Sequence, residues 1–107
     1  MKQITVNTYW AKIYISGQIV HIENAVREYC LSGLCVTVTP TNYIYAQGEE
    51  SGAEIGLINY PRFPATNAEI DLKAQNLAEL LMERCHQGSY TIMTPTKTTF
   101  YSRRDYD

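Results

Sequence analysis

The stretch EYCLSGLCVTVTPTNYIY (residues 28–45) returns 55 positions further on as ERCHQGSYTIMTPTKTTF (residues 83–100). Six positions are identical: Glu28 with Glu83, Cys30 with Cys85, Gly33 with Gly88, and Thr39-Pro40-Thr41 with Thr94-Pro95-Thr96. Composition alone predicts roughly one such match. The same offset carries the apolar row Ile19, Ile22, Val26, Cys30 onto Ala74, Leu77, Leu81, Cys85. Spacings of three, four and four place each row on one face of an amphipathic helix. Two segments that agree in phase as well as identity read as copies of one unit.

Each unit reads β-α-β-β. Residues 11–16 and 54–59 alternate apolar and polar, the mark of a half-buried strand ahead of each helix. Gly33 and Gly88 are expected to end the helices, since glycine takes the left-handed conformation at little cost. Strands follow over 34–39 and 89–94. Thr-Pro-Thr turns the chain, because proline fixes φ and lacks a donor. Return strands follow over 43–47 and 98–102. Residues 48–52 (GEESG) read as a loop between the units, and residues 3–8 as an additional strand. The expected fold class is α+β: a duplicated β-α-β-β unit forming a mostly antiparallel sheet, with both helices packed on one face. A parallel pair across the first helix is allowed. The 107 residues form one domain, with a first repeat over about 10–47 and a second over about 53–104.

With 45% hydrophobic and 19% charged residues, the chain has globular rather than disordered composition. A net charge of −2 disfavours a partner gripped through duplex phosphates. No apolar run approaches the roughly 20 residues that span a bilayer. Three Cys are too few and too odd in number for a secreted disulfide framework, so a cytoplasmic location is expected. Nine Tyr supply rings with polar tips, suited to interfaces and pockets and equally to half-exposed strands. Catalytic signals are poor: two His, no metal-ligand spacing and no glycine-rich phosphate loop. No catalytic residue, metal or cofactor is expected.

The units differ most between the leading strand and the helix. The first has Ser16-Gly17-Gln18; the second has NYPRFPAT (residues 59–66), stiffened by two prolines. Thr66 and Glu69 form a capping-box pattern at the second helix. This loop presents Asn59, Tyr60, Arg62 and Phe63 near a helix N-terminus, which favours anions. Arg62 would fork onto phosphate and Phe63 would stack on a base. Alternatively, Phe63 plugs the core edge and Arg62 pairs with Glu69 or Asp71. The tail adds Tyr101, Arg103 and Arg104, either as further anion contacts or as a solvated end beside Asp105 and Asp107.

The stretches GLCVTVTPTNYIY (33–45), IGLINYPRFP (55–64) and TPTKTTFYSRR (94–104) resemble small phage proteins of the Thoeris anti-defence type. That resemblance implies an oligomeric, non-catalytic sponge in the host cytosol that sequesters a cyclic nucleotide signal, a cyclic ADP-ribose isomer, without cleaving it. The expected partners are therefore that ligand and further copies of the chain. A different reading is a protein-interaction module that docks on a host enzyme through its Tyr-rich face.

Overall fold

The computed structural model describes residues 1–104. The elements run β1 (Trp10–Ser16), α1 (Ile19–Cys30), β2 (Thr37–Tyr45), β3 (Gly48–Ile58), α2 (Asn67–Arg84), β4 (Ser89–Met93) and β5 (Thr98–Ser102). The sheet order is β2-β3-β1-β4-β5, and every neighbouring pair is antiparallel. This is the expected α+β sheet with two helices packed on it. β1 and β2 run the same way, but β3 lies between them, so no parallel pair forms.

Alternation builds the core. Ala11, Ile13 and Ile15 of β1 share a face with Ala53, Ile55 and Leu57 of β3 and with Ile92 of β4, and all are buried. The two helices cover that face. α1 contributes Ile22, Ala25 and Val26; α2 contributes Ile70, Ala74, Leu77, Ala78 and Leu81. The rows read from the sequence therefore do point inward, with Ile19 and Cys30 at the margin. Arg84 on α2 forks onto the Glu28 carboxylate of α1, and this exposed pair ties the helices together.

Three expectations are corrected. Thr39-Pro40-Thr41 does not turn the chain: it lies inside β2, with Pro40 opposite Ala53. An edge strand tolerates the missing donor. The hairpin instead turns at Ala46-Gln47, and residues 48–52 are strand rather than loop. The two β-β halves therefore differ, because Thr94-Pro95-Thr96 does make the turn. There Thr94 Oγ1 collects the N–H groups of Thr96 and Lys97. Second, residues 3–8 form no strand. Third, the left-handed residue after α2 is His86 (φ 55°), not Gly88. Gln87 N–H reaches Met82 O and His86 N–H reaches Glu83 O, which is the Schellman arrangement.

Gly52 is required where β3 crosses under Tyr43. A Cβ there would sit 2.3 Å from Ile15 O and 2.6 Å from Tyr43 Cε2. Gly52→Ala should lower unfolding free energy by about 2 kcal/mol or more, read from urea denaturation. Burial also pushes the Tyr43 and Tyr90 hydroxyls up to about 12; Glu54 adds to the effect at Tyr43, and Glu79 and Tyr101 add to it at Tyr90. The unfolded chain releases those protons near 10. Stability should hold below pH 10 and fall from pH 10 to 12, and the double variant Tyr43→Phe/Tyr90→Phe should flatten that fall in denaturant melts.

Candidate functional site

The loop from β3 to α2 is fastened at Asn59. Its backbone N–H bonds Tyr9 O, its Nδ2 donates to Asn7 O and its Oδ1 accepts from Ala65 N–H, each at 2.9 Å. An amide both donates and accepts, so one side chain pins the N-terminal segment and both ends of the loop. Tyr60-Pro-Arg-Phe63 then turns tightly, with Phe63 N–H on Tyr60 O at 2.9 Å. Pro61 suits the second position of such a turn.

This turn sets out three side chains. Tyr60 folds back, with its hydroxyl 3.5 Å from the Cys35 thiol. Phe63 stands 70% exposed, and the Arg62 guanidinium lies over its ring at 5.6 Å. Phe63 is therefore no core plug, and Arg62 makes no ion pair with Glu69 or Asp71 among the described residues. The capping box is present: Thr66 Oγ1 accepts from Glu69 N–H at 3.1 Å, and Glu69 Oε1 accepts from Thr66 N–H at 3.2 Å. Those bonds with Thr66 hold the Glu69 carboxyl below its ordinary range.

Beneath the turn lies a cavity of about 110 Å³. Its walls include Leu34, Leu57, Ile58 and Ile70; its polar rim is Cys35, Tyr60 and Lys73. The Cys35 hydrogen bond, followed by burial, raises the Tyr60 pKa. On the other flank of α2 is a smaller cleft of about 80 Å³ that includes Asp71, Lys97 and Tyr101. Asp71 accepts from Tyr9 Oη at 2.7 Å, and Tyr101 stacks on Tyr90 at 4.9 Å.

The expected site residues are not gathered in one place. Asn59, Tyr60, Arg62 and Phe63 sit before α2. Arg103 and Arg104 sit after it: Arg103 N–H bonds Gly88 O, and the Arg104 guanidinium lies against Gly88 and Ser89. An 18-residue helix separates the two groups, about 27 Å at 1.5 Å per residue. Asp105 and Asp107 lie outside the described residues. Among the described residues no three His, Cys, Asp or Glu side chains gather. No helix there is long and apolar enough to cross a membrane.

The sequence reading passed over Cys35, Lys73, Asp71 and Tyr9 as site residues. Cys35 was an ordinary strand residue by pattern. Lys73 follows Glu69 by four residues and reads as a solvated helix cation. The only available signal was phase, which sets Lys73 one position before the buried Ala74.

Along its full length the chain is similar in fold to a phage SAM lyase in its apo state. The identity is 13%, the TM-score is 0.76, and 100% of this chain and 98% of that one are covered. It is similar also to a phage SAM lyase in complex with S-methyl-5′-thioadenosine, at 15% identity, TM-score 0.67 and the same coverage. No family model and no curated protein matches the chain.

These findings overturn the Thoeris resemblance, the cyclic ADP-ribose sponge it implied, and the separate docking-module reading. The expectation of a non-catalytic chain falls as well, because the fold shared from end to end is that of a lyase. At the α2 N-terminus, where phosphate was expected, the Glu69 carboxylate takes up the Thr66 N–H.

Cys35→Ala should return the Tyr60 pKa toward the ordinary tyrosine value. NMR titration of ring-labelled tyrosine, with the signal assigned through Tyr60→Phe, measures the shift.

Proposed function

We propose that this chain binds S-adenosylmethionine and cleaves it, releasing S-methyl-5′-thioadenosine. The observation that carries this reading is the fold shared along the full chain with phage SAM lyases, one of them holding that thioadenosine.

The chemistry suits the site. The thioadenosine product keeps the sulfur and its methyl group, so the bond that breaks joins sulfur to the four-carbon amino-acid chain. The bonding pair stays on sulfur, turning a sulfonium into a neutral thioether. The carbon left behind takes its new bond from the substrate's own carboxylate oxygen, closing a ring, or from a neighbouring C–H bond, which needs a base. The cavity rim offers no strong base near neutral pH: Tyr60 is held in its neutral form, bonded to Cys35. Ring closure by the carboxylate therefore asks least of the protein. What the residues supply is orientation and exclusion of water.

Cation recognition also fits the geometry. The Tyr60 and Phe63 rings flank the cavity mouth, and aromatic faces attract sulfonium-like cations, as the Arg62 guanidinium over Phe63 already illustrates; the ligand would take the Tyr60 ring and the other face of Phe63. Among the residues first singled out, Asn59, Tyr60 and Phe63 belong to this reading: Asn59 holds the loop, and the two rings face the ligand. Arg62, Tyr101, Arg103 and Arg104 have no part in it within one copy. A cavity of about 110 Å³ is smaller than the roughly 300 Å³ at which ligand pockets begin. The adenosine half therefore rests outside it, and a second copy of the chain, in a homo-oligomer, covers it.

Incubation with S-adenosylmethionine followed by chromatography tests the reading. S-methyl-5′-thioadenosine should accumulate as substrate disappears, without added metal or cofactor. Intact substrate after prolonged incubation with folded protein would overturn it. Phe63→Ala should raise KM about two- to fivefold, in line with an exposed cation–π contact of roughly 0.5–1 kcal/mol.

A further inference from the structure

We infer that Lys73 binds the carboxylate of the substrate's amino-acid end, so that the enclosed cavity is the subsite for the four-carbon chain and not for adenine. This rests on the lyase reading. Lys73 is the one charged residue lining the cavity. Its turn of α2 is tied to α1, since Tyr29 Oη donates to the Lys73 carbonyl at 3.4 Å. The side chain is half-buried and makes no ion pair among the described residues. Glu69, one turn earlier, interacts with it electrostatically, yet spends its carboxylate on the capping box.

The substrate has three recognisable parts: a nucleoside, a cationic sulfur, and a chain ending in an ammonium and a carboxylate. A lysine repels the sulfonium and the ammonium and attracts only the carboxylate. Size agrees. At about 110 Å³ the cavity is roughly a third of the ~300 Å³ at which ligand pockets begin, room for a short amino-acid chain and too little for a nucleoside. Apolar walls from Leu34, Leu57, Ile58 and Ile70 match the methylenes, and the low-dielectric surroundings strengthen the pairing of charges. With one carboxylate oxygen held by Lys73, the other stays free to close on the carbon that sulfur leaves.

Two stable ligands separate this proposal from the lyase reading. S-adenosylhomocysteine carries the carboxylate; S-methyl-5′-thioadenosine lacks the whole four-carbon chain. Affinities for both are measured by calorimetry on wild type, Lys73→Met and Lys73→Arg, with melting curves confirming that the variants fold. Lys73→Met should weaken S-adenosylhomocysteine about tenfold or more, as expected for losing a charge-assisted bond, and leave the thioadenosine unchanged. Lys73→Arg should recover most of the affinity. Equal weakening of both ligands, or none for S-adenosylhomocysteine while wild type still cleaves substrate, would overturn the role of Lys73 alone. A wild type that binds neither ligand would overturn both readings.

Discussion

Burial of the Ala11, Ile13 and Ile15 stripe fixes the place of everything else in the molecule. β1 is the central strand, paired on both sides, and these three side chains are among the most deeply buried. α2 lies over them through Ala74, Leu77, Ala78 and Leu81. The small alanines let the helix approach closely, and the leucines fill the space between layers. Once α2 is seated, its first turn hangs over the end of β3. The eight residues that join them must cross the gap with little slack. Asn59 locks that crossing to the N-terminal segment, and the cavity is what remains beneath it.

The helices were legible because their signal is redundant. Apolar spacing and the repeat offset agree over residues 19–30 and 67–84, and the capping box marks the start of the second helix. The strands were legible as a class but not in their pairing. Thr39-Pro40-Thr41 and Thr94-Pro95-Thr96 are the same tripeptide in two environments. Near β4 the threonine hydroxyl gathers backbone donors and closes a turn; in β2, opposite Ala53, the chain runs straight through. Local chemistry permits both outcomes, and the neighbouring strand decides. The left-handed helix end at His86 had no signal either, since tertiary packing selects a conformation that the side chain does not prefer.

The site was half legible for a similar reason. The proline-stiffened loop stood out by comparing the two units; Tyr60 and Phe63 line the cavity beneath it, and Asn59 holds the loop in place. The charge logic differs on the lyase reading. Arginine, an aromatic ring and a helix N-terminus suggested an anion, but the helix end supplies its own carboxylate through Glu69, and Arg62 lies across Phe63. The cavity mouth carries the Tyr60 and Phe63 rings together with Lys73, and the lyase reading sets a cation against those rings. Lys73 stayed hidden because its importance depends on Leu34, Cys35 and Ile58, contributed by segments distant in sequence.

Pro40 has a role beyond its own strand. β2 forms one rim of the sheet, where an uninterrupted row of amide donors would recruit any passing extended chain. One imino acid in the middle of the nine-residue strand breaks that row. At the opposite rim, β5 is only five residues long. Both margins are thereby poor templates for lateral growth, so a small protein can accumulate in quantity without its sheets fusing into fibrils.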